Sequence, residues 1–291
     1  KISPWSPFKS RDFKILWIAS LLSTTGSRMH EVGAAWLMTS LSTDPFTVAL
    51  VQTATTLPIF LFALTAGAIA DVASRRKLLI YVQLLMAIVA GVFACIIFLD
   101  KMTPTLLIGF VFVLGVGAAF VAPAKQATVP QLIPKQDLQS AIALNSVAFN
   151  LSRAVGPVIA GVLILTVGIT APFIFNAVSF AIISAAYFWW CPGRILNQLP
   201  KEKIPGAVIT GLRYVRYSPP LRAIFGRAFA FCVSASAFWA LLPLFVKIEL
   251  KGDASLFGLL IGAIGLGAVV GVSLLPKLKQ RFEPTKIITI A

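Results

Sequence analysis

Two long uncharged runs flank one short charged segment. Phe46–Ala70 holds 25 residues without a charge and Leu78–Leu99 holds 22. A helix needs about 20 apolar residues to cross a bilayer, so each run is long enough. The stretch that joins them, Gly67–Leu79, reads Gly-Ala-Ile-Ala-Asp-Val-Ala-Ser-Arg-Arg-Lys-Leu-Leu, with one acid and three bases. This is the pattern of a tight charged turn between two membrane helices, with its bases on the cytoplasmic side. Gly67 is expected to let the helix end approach a neighbour closely. Asp71 is expected to pair with Arg75 or Arg76, or to cap a neighbouring helix.

Composition agrees with a polytopic membrane chain. It is 58% hydrophobic and 12% charged, with a mean hydropathy of +0.91, whereas soluble domains carry roughly 25% charged residues. The net charge is +15. Nineteen of the 25 bases fall on one side of the expected spans, three (Lys101, Lys247, Lys251) on the other, and Arg28, Arg153 and Arg227 within spans. That asymmetry places the N-terminus in the cytoplasm and accounts for the charge without a nucleic-acid partner. Cys95, Cys191 and Cys232 show no metal spacing. With one histidine, no nucleophile motif and no phosphate-binding Gly-rich loop, the sequence predicts neither an enzyme nor an ATP-driven pump, and neither metal nor cofactor.

Eight spans are expected in order: about Phe13–Leu41, Phe46–Ala70, Leu78–Leu99, Pro104–Val121, Ser140–Val167, Ala171–Trp190, Ala223–Val246 and Ser255–Pro276. Ala122–Gln139, with three prolines, reads as a cytoplasmic connector. Residues 192–220 read as the linker between an N-terminal half, 1–191, and a partial C-terminal half, 221–291. Within the linker, Ala207–Tyr217 is either a basic amphipathic helix on the leaflet or a plain solvated linker. Span 8 carries Gly258-x-x-x-Gly262 and Gly267-x-x-x-Gly271, both suited to close helix packing. The chain opens on Lys1, and Ile287–Ala291 begins a further apolar run, so eight spans and the start of a ninth are expected out of twelve.

The Gly67–Leu79 stretch resembles the signature loop between helices 2 and 3 of the major facilitator superfamily. Gly67, Ala70, Asp71, Arg75, Arg76 and Leu79 match it, while Val72 and Ser74 depart from it. Ser152–Gly161 resembles the superfamily's antiporter signature through Gly156, Pro157 and Gly161. Pro123-Ala124-Lys125-Gln126-Ala127, Ala143-Leu144-Asn145-Ser146, Asn150, Arg153 and Trp36-Leu37-Met38-Thr39 resemble the enterobactin-exporter, or transmembrane secretion effector, branch. Val111 stands where drug exporters of the superfamily carry an arginine. The resemblance implies an all-α fold of two six-helix halves and transport by alternating access. It implies a monomer in the bacterial cytoplasmic (inner) membrane that moves a small molecule in exchange for protons, with Gly67, Asp71, Arg75 and Arg76 as a gating loop.

Within that frame the candidate residues follow from position. Glu31 is the sole acid inside an expected span, and Arg28 lies three residues before it on the same face. Burial favours the neutral acid while a nearby cation opposes it, so Glu31, Arg28 and Arg153 are the proton-coupling candidates. A fixed Arg28–Glu31 pair that holds helix register is the alternative. His30 projects about 100° away and is a weaker candidate. Gln52, Asn145, Asn150 and Asn176 are cavity candidates. Arg153 is expected to face the cavity with Asn150 and Ser146, or to be bonded to backbone carbonyls of span 4 or span 1. The reading is proton-coupled efflux of amphipathic molecules of drug or siderophore type; the alternatives are a solute importer or symporter, and a non-transporting accessory membrane protein.

Overall fold

The computed structural model describes residues 5–190 and 217–281. Within them the chain forms eight long helices: α1 (Arg11–Leu41), α2 (Pro45–Val72), α3 (Arg75–Phe98), α4 (Pro104–Leu132), α5 (Leu138–Thr166), α6 (Ala171–Trp189), α7 (Pro219–Ile248) and α8 (Ala254–Arg281). No strand occurs among the described residues. The expected linker up to residue 216 and most of Ala207–Tyr217 lie outside the described residues.

Capping chemistry starts the helices where the apolar runs begin. Ser10 Oγ accepts from the Phe13 N–H, Thr103 Oγ1 from Leu106 and Asp253 Oδ1 from Leu256. Asp44 accepts from the Thr47 N–H at 2.9 Å and the Thr47 hydroxyl at 2.6 Å. Those Thr47 bonds hold the Asp44 carboxyl below its ordinary range. Pro45 and Pro104 occupy first helical positions, where a missing N–H costs nothing.

Six helices are long and apolar enough to cross a bilayer, by length and composition. α1 falls short of that measure because of its hydroxyls and its Arg28-x-His30-Glu31 run, and α8 because its apolar described part, Ala254–Ala268, is short. The outer surface is apolar: Phe60, Phe98, Trp189, Phe229 and Phe231 are each more than 70% exposed. Water would penalise such a surface, whereas hydrocarbon accepts it because helices satisfy their own backbone.

Two packed ends and a third seam organise the bundle. At one end, Leu37, Met38, Val48, Ile97, Met102 and Leu107 form a common core. At the other, Leu16, Ala70, Leu79, Ala186 and Trp190 do so. The third seam, Met29, Val32, Ala160, Leu242, Val246 and Phe257, joins α1 and α5 to α7 and α8. The Lys247 ammonium donates to the Thr39 carbonyl at 2.7 Å, tying α7 to the end of α1.

α4 corrects the expected connector. It runs as helix through Pro123 and Pro130 to Leu132, eleven residues past the expected end of the span. Neighbouring donors bond carbonyls along this stretch: the Thr128 hydroxyl reaches the Ala124 oxygen at 2.8 Å, and Arg75 reaches the Ala127 oxygen at 3.3 Å. Lys125, expected in a loop, is therefore helical. Likewise α8 continues to Arg281, into the stretch expected to be a basic loop from Lys277.

Candidate functional site

The helices enclose a cavity of about 900 Å³ that draws on each of α1 to α6. It extends from Glu31 and Ala34 toward the end where α4 closes and α5 begins, reaching Pro130 and Leu138. Leu114, Val121, Ile142, Phe149 and Phe180 supply apolar wall. α1 supplies more of the polar wall than any other helix, because Ser20, Thr24, Ser27, Arg28 and Glu31 recur at helical spacing on its inner face. Thr24 and Ser27 return their hydroxyl protons to the backbone one turn earlier, at 2.8 and 3.0 Å.

One ion pair exists among the described residues, and it lies on this wall. Arg28 Nη1 donates to Glu31 Oε2 at 2.7 Å, with side chains 30% and 39% exposed. The Arg28 guanidinium lies over the Phe149 ring, 5.4 Å from its centroid. Its Nε is buried without a partner among the described residues. One turn earlier, Thr25 donates to Ser152 at 3.0 Å, and the Ser152 hydroxyl reaches the Leu21 carbonyl at 3.4 Å. A hydroxyl seam thus sets α1 against α5 directly below the pair.

The cavity wall also carries buried polar groups, contributed by α1, α3 and α6. His30 is 6% exposed, wedged between Phe93 and Phe173 with ring centroids 5.1 and 5.0 Å away. Neither ring nitrogen has a hydrogen-bond partner among the described residues, nor do Gln83 Oε1 and Asn176 Oδ1. All three residues line the cavity. Gly26 admits Asn176: a methyl group on Gly26 would stand 2.6 Å from Ser179 Oγ and 3.1 Å from Asn176 Oδ1.

The antiporter-like motif is a helix contact. A methyl group on Gly161 would come within 2.6 Å of the Ala254 carbonyl oxygen of α8, and one on Gly262 within 3.0 Å of the Ala154 oxygen. One on Gly258 would collide with the Pro157 carbonyl. Small residues on both helices thus let α5 and α8 touch backbone to backbone. Gly156 faces the other way, against the stem of Arg28.

Of the expected cavity residues, Asn145, Asn150, Asn176 and Ser146 line the cavity. Gln52 does not; it is exposed on α2. Arg153 does not either. It is half-buried where α8 crosses, with its carbonyl beside Gly265. A methyl group on Gly67 would meet nothing within 4 Å, so the close approach expected there is not formed among the described residues. The same holds for Gly267 and Gly271. The Asp71 side chain lies outside the described residues. Arg76 is placed by a contact that sequence alone does not reveal: it donates to the carbonyls of Tyr187, at 3.1 Å, and Phe188. These are orphan acceptors at the negative end of α6. Lys125 belongs to a motif visible in the sequence, but its place on the cavity wall emerges only from the fold.

Residues 2–291 match the transmembrane secretion effector family. The chain is 23% identical over 269 residues to the staphyloferrin A transporter of Staphylococcus aureus, covering 91% of this chain and 66% of that protein. It is 23% identical over 283 residues to the enterobactin exporter EntS of Citrobacter koseri, covering 96% of this chain and 66% of that protein. The chain thus spans about two thirds of the length of these relatives, which are transporters rather than enzymes. The fold matches a bacterial homologue of the human lysosomal transporter Spinster, solved inward-facing and unoccupied, with a TM-score of 0.69 at 16% identity, over 95% of this chain and 64% of that one. The chain belongs to the transmembrane secretion effector family of the major facilitator superfamily.

Proposed function

We propose that the protein is a proton-coupled exporter of amphipathic small molecules, working by alternating access in the bacterial cytoplasmic membrane. The observation that carries this is the Arg28–Glu31 pair at 2.7 Å on the wall of a cavity of about 900 Å³. A pump that exchanges substrate for protons needs a group that is charged in one state and neutral in another. Glu31 is the one carboxylate lining this cavity among the described residues. Protonation of Glu31 from outside frees Arg28, and deprotonation toward the cytoplasm restores the pair.

The orientation rests on charge. Lys9, Arg11, Arg75, Arg76, Lys77 and Lys135 lie at the end toward which the cavity extends, and Lys101 and Lys251 at the opposite end. By the positive-inside rule the cavity opens to the cytoplasm and α1 begins there. α1 and α8 then cross the bilayer with the other six helices, within a twelve-span monomer divided at residues 192–220. The names of two relatives, a staphyloferrin A transporter and an enterobactin exporter, support transport of a small molecule, and the second supports export. Gly67, Asp71, Arg75 and Arg76 serve as the gating loop, with Arg76 gripping the end of α6.

The test uses inverted membrane vesicles carrying the full-length protein and a panel of fluorescent amphipathic probes, with and without an imposed pH gradient. Gradient-dependent accumulation supports export. Accumulation that ignores the gradient removes proton coupling, and movement only in the opposite direction favours an importer.

A further inference from the structure

The cavity carries a cation that the Arg28–Glu31 chemistry does not use. Lys125 stands on the part of α4 that continues as helix past Pro123, and so faces the cavity. It also lines a small crevice of about 30 Å³ that opens from the cavity. Ser20, Lys125, Val129 and Asn145 line both, so the three polar ones, from α1, α4 and α5, meet at the junction. Beyond them the crevice is walled by Phe13, Leu16 and Trp17.

Lys125 has neither an ion pair nor a hydrogen bond among the described residues, whose one ion pair is Arg28–Glu31. Glu31 lies eleven residues beyond Ser20 on α1, which at 1.5 Å per residue is about 16 Å away along the helix. It cannot neutralise Lys125. The described cavity wall therefore holds two bases, Arg28 and Lys125, against one acid, Glu31. A half-buried ammonium in an apolar wall is costly without a counter-charge. Lysine offers three donors and no acceptor, and the Asn145 amide and Ser20 hydroxyl add donors. The crevice itself has room for only a small group.

We infer that Ser20, Lys125 and Asn145 form an oxyanion subsite that holds the carboxylate, or a chemically similar anionic group, of an amphipathic substrate. The apolar body of that substrate lies along Val121, Ile142 and Phe149. The inference rests on the export reading and adds a charge preference to it.

The test is binding of a dansylated long-chain fatty acid to the full-length protein in neutral detergent, compared with its methyl ester and its quaternary-ammonium analogue. The carboxylate is expected to bind about tenfold or more tighter than either, the scale of one hydrogen bond to a charged group. Lys125→Gln should remove that preference and Lys125→Arg should keep most of it. Asn145→Leu, which leaves the lysine in place, should weaken carboxylate binding alone. Equal binding of carboxylate and ester, or a Lys125→Gln protein that keeps the preference, overturns the subsite. Inorganic phosphate and a short-chain phosphatidylglycerol serve as competitors. Displacement by the lipid at concentrations where phosphate has no effect would make a lipid headgroup the occupant and overturn the substrate assignment. Export of the same three probes in inverted vesicles is read separately. Export without charge preference leaves the export reading standing while the subsite falls. Export of none of them counts against the export reading, with the binding result still deciding the subsite.

Discussion

Gly156 lies against Arg28: a Cβ placed on Gly156 would stand 2.7 Å from the Arg28 Cβ and 3.3 Å from the Thr25 carbonyl oxygen. The motif glycine of α5 is therefore the floor under the cavity's ion pair. The neighbouring Pro157 carbonyl meets Gly258 of α8. One turn of α5 contacts both the charged helix and the helix beyond the seam. Movement of α8 along α5 would be felt at Arg28 through this turn.

Gly156→Leu is expected to push α5 away from α1 and lift Arg28 off Phe149. Overpacking of this kind costs about 1–3 kcal/mol. The thermal midpoint of purified protein should fall and export should drop at matched abundance. Gly156→Ala should do the same more weakly. Normal export by a Gly156→Leu protein at normal abundance would detach the motif from the ion pair.

Arg76 should behave as a helix cap. Its guanidinium satisfies the carbonyls of Tyr187 and Phe188 at the end of α6. Hydrogen bonds to a charged donor contribute about 1.5–3 kcal/mol when buried, and partial exposure here places the effect toward the low end. Arg76→Gln should lower thermal stability and loosen the end of α6, seen as faster amide exchange at residues 186–189. Unchanged exchange there would contradict the capping role.

His30 tests the buried polar groups of the cavity. Its two ring nitrogens are buried between Phe93 and Phe173, without partners among the described residues. Replacing an unsatisfied buried polar group with an apolar one of similar size is neutral or stabilising. His30→Leu should therefore keep or raise the thermal midpoint and leave the pH profile of export in place. A large loss of stability would show that the imidazole is bonded in the working protein, through water or cargo.

Much of this architecture is legible from charge-free runs, since a bilayer sets the helix length and charges mark the turns. Helices α2, α3, α5 and α6 begin and end within three residues of the expected spans. α4 outruns its expected span because Pro123 and Pro130 read as breakers, yet the helix runs through both. The same feature hides the place of Lys125 on the cavity wall, though not the motif that holds it. Glu31 and Arg28 stand out because charge inside an apolar run is rare. Ser146, Asn150 and Arg153 share a helix face by spacing, yet only the first two line the cavity, because α8 crosses α5 at Arg153. Periodicity gives the face of a helix, and the neighbour that covers it comes from tertiary packing. Gln52 misses the cavity because it lies on the exposed face of α2.

The proposed mechanism turns on Glu31 carrying the exchanged proton through its 2.7 Å pair with Arg28. The direct measurement is the pH dependence of gradient-driven export in inverted vesicles, wild type against Glu31→Gln, at matched abundance. Glutamine mimics the protonated acid and cannot change charge. Glu31→Gln is expected to lose the stimulation by an imposed pH gradient and to flatten the pH profile while still binding the probe. Gradient-driven export with an unchanged pH profile in Glu31→Gln would contradict the proton-carrying role.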